Sequence, residues 1–434
     1  MNRPISSHRP ARTTTFARSD TVTTHGQLFA DGSVIELVAP VSGNLLRLLF
    51  WDGQKKIIGS QVEYMHRIYQ APAIQEMLLR AIRFPKGASG YGSERKLFTE
   101  SINLFEKYTG LARPDAALVA AWSCSTWFPD CVSSPPTLVI SSPDTGPVIT
   151  LFRMLRCLGR RSLLLADINR AGFLSIMALQ PTLLINQSSR SSKILDLWGT
   201  SNHRGVYVVG NRGSVCNAVG AKAVYGGMAD TWTAEAIHLA LPGGHDLPSL
   251  DEHEEAEIAD RLQPQWLMYR LHNFRKVGES RAAVRQSGFP DSEIARNLIA
   301  CIQGEPVISQ AIAPILQRQH QDAEARHGRD VSVAIVEVIW APYHATEEIA
   351  ISKIAQLVNA LLRARGETLE YNAIEIGWKL KNLGLDRQRN GGGMVLQPSK
   401  ANGLVIHQLA QRFGLKLRPN IGCADCCERE APAT

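Results

Sequence analysis

The chain has 434 residues, 44% of them hydrophobic and 20% charged, with a formal net charge of +7. The length exceeds one ordinary core, so two or three domains are expected. No apolar run approaches the roughly 20 residues that span a bilayer, which excludes a membrane-spanning chain. The mildly basic balance, with a pI near 9.0, permits an anionic partner.

Residues 1–25 carry Arg3, Arg9, Arg12 and Arg18 among Ser and Thr, without an apolar block. They read as a disordered basic tail, not a secretory signal. Eight unevenly spaced Cys suggest reduced thiols and a cytoplasmic protein. Residues 26–112 read as a β-rich, then helical, N-terminal domain. Asp31-Gly32 and Asp52-Gly53 are turn signals between Ser33–Val38, Leu45–Trp51 and Lys55–Ile58. Helices are expected over Gln75–Ile82 and Ser93–Tyr108, the latter ending at Gly110. Pro114 opens another through Trp127, apolar nearly all round and so buried.

Residues 113–277 read as an α/β core with a largely parallel sheet. Thr137–Ile140 is its first strand and Thr145–Leu158 the following helix. Further strands are expected at Ser162–Ala166, Thr182–Ile185 and Gly205–Val209, with Ala221–Tyr225 and Ala236–Ala240 as short additions. A helix over Ser192–Trp198 is expected between the third and fourth strands. Strand, tight loop Ser141–Gly146 and helix have the layout of a phosphate-binding loop. Asp251–Leu262 reads as an acidic helix with a solvated face, Gln265–Lys276 as a separate helix, and residues 278–330 as a helical linker.

This order resembles the ATPase core of the RecA and AAA+ helicase class, over roughly residues 115–245. Thr182–Ile185 followed by Asn186-Gln187 resembles a Walker B strand, and Val206–Val209 followed by Asn211 a sensor-1 strand. The resemblance implies a nucleotide-loop remnant at Ser141, Asp144, Thr145, Gly146, Asn186 and Asn211. The catalytic groups are replaced: Pro147 stands for the loop Lys, Val148 for the Mg²⁺-binding hydroxyl, and amides for the Walker B carboxylates. Phosphoryl transfer depends on positioning and charge, so ATP hydrolysis is not expected and no cofactor is assigned.

Residues 331–415 read as a winged helix-turn-helix. The expected elements are a helix at Val331–Trp340, an extended Ile349–Ile351, a helix Lys353–Arg363 capped by Ser352, and a third helix Asn372–Leu383. Strands Leu385–Arg389 and Met394–Leu396 flank a Gly turn. Asn372, Lys379 and Lys381 on the third helix, with Arg387 and Arg389 on the wing, are the expected DNA contacts. Base edges need donors and phosphates need cations. In the tail, 416–434, Cys423 and Cys426 make one Cys-x-x-Cys, with Cys427 beside them. That is half a zinc site, which His407 or a second chain would have to complete. The tail reads instead as flexible and thiol-bearing, with no metal assigned.

The whole chain resembles helicase- or primase-associated proteins of bacterial mobile elements. The expectation is a DNA-binding protein with a catalytically degenerate helicase-like core, acting in replication or maintenance of such an element. DNA and a homo-oligomer are the expected partners, and no membrane. An active divergent ATPase and a transcription regulator are the alternatives.

Overall fold

The computed structural model describes residues 21–40, 45–186, 202–209, 215–226, 236–243, 247–283, 289–303, 305–328, 330–367, 369–415, 417, 423 and 426. Its N-terminal strands are β1 (Thr21–Thr23), β2 (Gln27–Leu28), β3 (Val34–Val38), β4 (Arg47–Trp51), β5 (Lys56–Gly59), β6 (Gln61–Tyr64) and β7 (Arg67–Gln70). They form a four-stranded sheet, β2-β3-β4-β5, and a three-stranded sheet, β1-β7-β6. Asp52 shapes one hairpin, its Oδ1 accepting from the Gln54 and Lys55 amides at 2.8 and 2.7 Å while Gly53 takes φ 99°. Thr21–Thr23 were expected in the disordered tail. They instead pair in parallel with Ile68–Gln70. Residues 1–20 lie outside the described residues.

Three helices follow: α1 (Glu76–Ala81), α2 (Glu94–Thr109) and α3 (Arg113–Ser125). The Ser93 hydroxyl caps α2 by accepting from the Lys96 amide at 3.2 Å, and Gly110 ends it at φ 66°. Every residue of α3 from Ala116 to Ser125 is buried, as its all-round apolar sequence requires.

The central elements are β8 (Thr137–Ser141), α4 (Thr145–Leu158), β9 (Leu163–Leu165), α5 (Arg170–Met177), β10 (Leu183–Asn186), β11 (Tyr207–Val209), β12 (Val215–Asn217), β13 (Lys222–Tyr225) and β14 (Ala236–Ala240). Five of them build one parallel sheet, ordered β14-β8-β13-β10-β9. The protein is therefore mixed α/β with a parallel core sheet. The run ending at Val209 is not one of its strands. Tyr207–Val209 pair with Val215–Asn217 in a two-stranded antiparallel ribbon, with Tyr207 and Val209 about 60% exposed. The fourth strand is Lys222–Tyr225, inserted between β8 and β10. The helix expected over Ser192–Trp198 lies outside the described residues.

Helix α6 (Glu252–Ala283) is continuous where two helices were expected, and it carries Pro264 inside. Proline removes an amide donor and ordinarily breaks a helix. Here Leu262, Trp266, Leu267 and Tyr269 are buried on both sides of it, and that packing holds the axis together. Nor is its acidic start a solvated face throughout. Glu255 is 1% exposed and paired with Arg153 and Arg156 of α4 and with Arg83. Next come α7 (Glu293–Cys301) and α8 (Pro306–Gly328), whose Leu298, Ile299, Ile308 and Ile312 enter the same core as α3 and α6. Residues 1–319 form one compact unit, so most of the expected linker belongs to it.

The second unit, residues 320–434, contains α9 (Val331–His344), β15 (Ile349–Ala350), α10 (Ile351–Ala364), α11 (Ala373–Asn382), β16 (Arg387–Asn390), β17 (Gly393–Leu396) and α12 (Lys400–Arg412). Its sheet runs β15-β17-β16, antiparallel throughout. Ser352 does not cap α10: the cap position is Ala350, and no side chain supplies the bond.

One buried charge cluster ties the first unit together. Glu36 of β3, 2% exposed, accepts from Arg160, Arg161 and Arg270 at 2.8, 2.7 and 3.0 Å. Arg270 also grips Asp130 through two bonds of 2.8 and 2.6 Å. Burial alone would raise the Glu36 carboxyl, but the three guanidinium groups outweigh it and hold it far below the usual range. Among the described residues, no helix is long and apolar enough to cross a membrane.

Candidate nucleic-acid interface

The two sets of residues singled out from sequence lie in different units. In the first, β8 ends at Ser141, and Asp144 to Gly146 lead into α4. Residues Asp144, Thr145 and Gly146 are exposed, and a Cβ placed on Gly146 would meet open space. Asn186 closes β10 at the same end of the sheet, its register partner Tyr225 lying level with Ile140. With one strand between them, β8 and β10 stand about 10 Å apart. Ser141, Asp144, Thr145, Gly146 and Asn186 are thus gathered at one carboxyl edge. Asn211 lies outside the described residues. Val148, at the position expected for a hydroxyl ligand, is fully buried in the core.

In the second unit the face of interest is the outer side of α11 with the β16–β17 hairpin. Between residues 331 and 415 there are nine Lys or Arg and seven Asp or Glu, so the unit is close to neutral. Four of the nine cations fall within 379–389, and local placement therefore matters more than net charge.

The start of α11 is closely specified. The Asn372 side chain accepts from the Ile374 and Glu375 amides at 2.9 and 3.0 Å. Glu375 returns the bond, accepting from the Asn372 amide at 2.9 Å. This capping box holds two free donors of the first turn. Asn372, expected as a DNA contact, thus has its carbonyl oxygen committed to the cap. One residue earlier, Tyr371 is bracketed by Asn359 of α10. The Asn359 amide donates to the Tyr371 carbonyl at 3.0 Å, and its oxygen accepts from the Tyr371 amide at 2.9 Å. Position and start of α11 are both fixed by side-chain bonds to backbone.

Ile376 and Leu380 turn α11 inward. Ile374, Trp378 and Lys381 follow at spacings of four and three on the outer face. Ile374 is 74% exposed and Trp378 60%. The Lys381 ammonium lies 5.6 Å from the Trp378 ring centroid and that of Lys379 5.3 Å from the Tyr371 ring, both at cation–π range. Arg387 is half-buried and runs across α11 at Gly377, where an added Cβ would come within 2.9 Å of its Nη1. Arg389 is exposed on β16. The hairpin tip is organised by Asn390, which accepts from the Gly392 amide at 3.0 Å and donates to Glu348. Lys379, about 160° round the helix from Lys381, is half-buried and turned toward Tyr371, whereas Lys381, Arg387 and Arg389 share one side. Sequence reading missed Ile374 and Trp378 there. Both fall outside the buried stripe of Ala373, Ile376, Leu380 and Leu383, so an apolar pair on a polar face was the available signal.

The same unit gathers a second constellation. His344 at the end of α9, His407 of α12, Cys423 and Cys426 bring their ligating atoms within 4.8 Å of one another. Cys423 and Cys426 were read as part of a flexible tail. They lie instead against the core of the unit, with Cys426 1% exposed. His344 was not suspected, and Cys427 lies outside the described residues.

Comparison with protein-family models and with curated proteins returns no match. The functional reading rests on the geometry above.

Proposed function

We propose that this chain is a DNA-binding protein whose second unit is a winged helix. Helix α11 enters the major groove, and the β16–β17 hairpin is the wing that follows the phosphates. The observation that carries the reading is the shared side of Lys381, Arg387 and Arg389 on a rigidly started helix, with Trp378 exposed, beside a two-stranded hairpin. Lys381 and Trp378 supply a cation and a flat apolar surface for base edges. Arg389 supplies charge to the backbone. Arg387 acts by bracing hairpin against helix.

The parallel sheet of the first unit supports a P-loop-like, helicase-like scaffold in the same proposal. Its first strand is interior, with later strands on both sides. The loop after it therefore opens at a point where strand order reverses, the usual ligand crevice of open parallel sheets. Pro147 and the buried Val148 supply neither charge nor hydroxyl, so we infer a non-hydrolysing core. Titration with ATP and Mg²⁺, with and without duplex DNA, should give no turnover. Replication or maintenance of a mobile element is the setting that such a pairing of modules suits.

The exposed Ile374 and Trp378 favour one competing reading, in which α11 docks a protein. Anisotropy titrations of a labelled duplex between 50 and 200 mM salt separate the two. DNA binding predicts a linear fall of log affinity with log salt, and in Lys381→Ala/Arg389→Ala a weaker affinity with a slope smaller by about 1, from the lost Arg389 phosphate contact. An unchanged slope and affinity in that variant would reject the DNA reading.

A further inference from the structure

We infer that His344, His407, Cys423 and Cys426 form a closed, structural zinc site that fastens the C-terminal tail to the second unit. The inference is independent of DNA binding. It begins with the ligand atoms. Cys426 Sγ lies 3.2 Å from His344 Nε2 and 3.3 Å from His407 Nε2, and Cys423 Sγ lies 3.5 Å from His407 Nε2. Tetrahedral zinc, with bonds of about 2.3 Å to sulfur and about 2.0–2.1 Å to nitrogen, sets ligand atoms roughly 3.3–3.8 Å apart. These three pairs already stand close to that spacing, and all four atoms lie within 4.8 Å of one another.

The imidazoles are oriented as metal ligands are. His344 Nδ1 is 2.8 Å from the Trp340 carbonyl, and His407 Nδ1 is 2.7 Å from the Gly403 carbonyl. A carbonyl can only accept, so each Nδ1 carries the hydrogen. In the neutral ring that places the lone pair on Nε2, and both Nε2 atoms face the thiols. Such backbone partners behind ligating histidines fix tautomer and ring angle. Both bonds reach back one helical turn, so helices α9 and α12 supply them without further residues.

The surroundings are built for a site of this kind. The Trp340 ring packs 4.5 Å from the His344 ring and 4.9 Å from that of His407. Tyr343 stands beside both histidines, and a side chain at Gly403 would collide with its hydroxyl, 1.8 Å from an added Cβ. Cys423 and Cys426 are held by a turn in which the Cys426 amide donates to the Cys423 carbonyl at 3.1 Å. Two cysteines spaced Cys-x-x-Cys with two histidines make a four-ligand set of the structural type. It leaves no open position for a substrate or a reactive water. Metal would bind as the two thiols release their protons, joining residues 344, 407, 423 and 426 in one cross-link.

The test is metal content of the full chain, purified without chelator and exchanged into metal-free buffer. The expected result is about one zinc per chain, falling at least tenfold in Cys423→Ser and in His344→Gln. Cobalt reconstitution of the wild-type chain gives a second readout that survives any folding defect in the variants. Intense visible bands of tetrahedral cobalt with thiolate charge transfer are expected. A chain that takes up neither zinc nor cobalt, or a Cys423–Cys426 disulfide that persists in reductant-free protein offered zinc, overturns the inference.

Discussion

Asn359 of α10 and Tyr371, twelve positions apart, bond to each other twice, side chain to backbone, just ahead of α11. The amide of Asn359 replaces the neighbour that Tyr371 would have in a strand, and so fixes where α11 begins. Asn359→Ala leaves a part-buried amide and carbonyl without these partners, a cost of about 1–3 kcal/mol. Hydrogen exchange at the Tyr371 amide should speed up roughly 5- to 150-fold, with little change in the first unit. Unchanged protection would show that the bracket does not order this segment.

The capping box makes a second, separable prediction. Asn372→Ala should cost about 1 kcal/mol of stability in the second unit, whereas Asn372→Asp should retain most of it, since a carboxylate caps as well as an amide. If both variants weaken DNA binding equally while only one is destabilised, Asn372 touches DNA in addition to capping.

Glu36 fixes the acid limit of the first unit. Its folded carboxyl sits far below its unfolded value near 4.5, so its stabilisation is complete above that pH and fades as pH falls below it. Asp130 is also held low, Arg270 outweighing the effect of its burial. Acid unfolding monitored by circular dichroism should therefore show loss of the first unit below about pH 4.5. Glu36→Gln should unfold more readily at pH 7, by about 3–5 kcal/mol, because three guanidinium groups lose their shared counter-charge.

Lys222 acts at the alkaline end. Its ammonium is fully buried, donating to Asn202 Oδ1 at 2.7 Å and to the Gly220 carbonyl at 2.9 Å, and it makes no ion pair among the described residues. Burial lowers it from 10.5 to about 7. Between those values the unfolded chain holds the extra proton, so stability rises with pH from about 7 to 10.5 and levels off below 7. Lys222→Met should flatten that slope in denaturant titrations at several pH values.

Chelation probes the tail. If zinc is present at a hundredfold excess over its dissociation constant, it adds about 2.7 kcal/mol to the unit that binds it. Removing it with a strong chelator should lower the melting transition of the second unit on the order of 10 °C, and leave that of the first in place. A scan that does not move would contradict the metal cross-link.

Much of this architecture is legible from local pattern. The strand and helix at Thr137–Leu158 and the ends of α2 and α11 are written in apolar spacing, Ser93, Asn372 and Gly110. What was not legible depends on partners far away in sequence. Val206–Val209 reads as a core strand because its residues are apolar, yet only the pairing with Val215–Asn217 decides that Tyr207 and Val209 face outward. Pro264 reads as a break because the burial that overrides it comes from other helices. His344 could not be suspected as a ligand, since 63 and 79 residues separate it from His407 and Cys423 and nothing in its own helix marks it. The charge cluster had no signature at all: Glu36 sits in an ordinary strand, and its partners lie more than a hundred residues on.

That last separation bears on how the protein is made. Glu36 leaves the ribosome 234 residues ahead of Arg270. At about 5–20 residues per second this is on the order of 10–50 s. During that interval the nascent N-terminal sheet holds a carboxylate at its centre with its last counter-ion not yet synthesised. The cluster is complete only once translation has passed the middle of α6, so a carboxylate in the first tenth of the chain depends on a residue about three-fifths of the way along it.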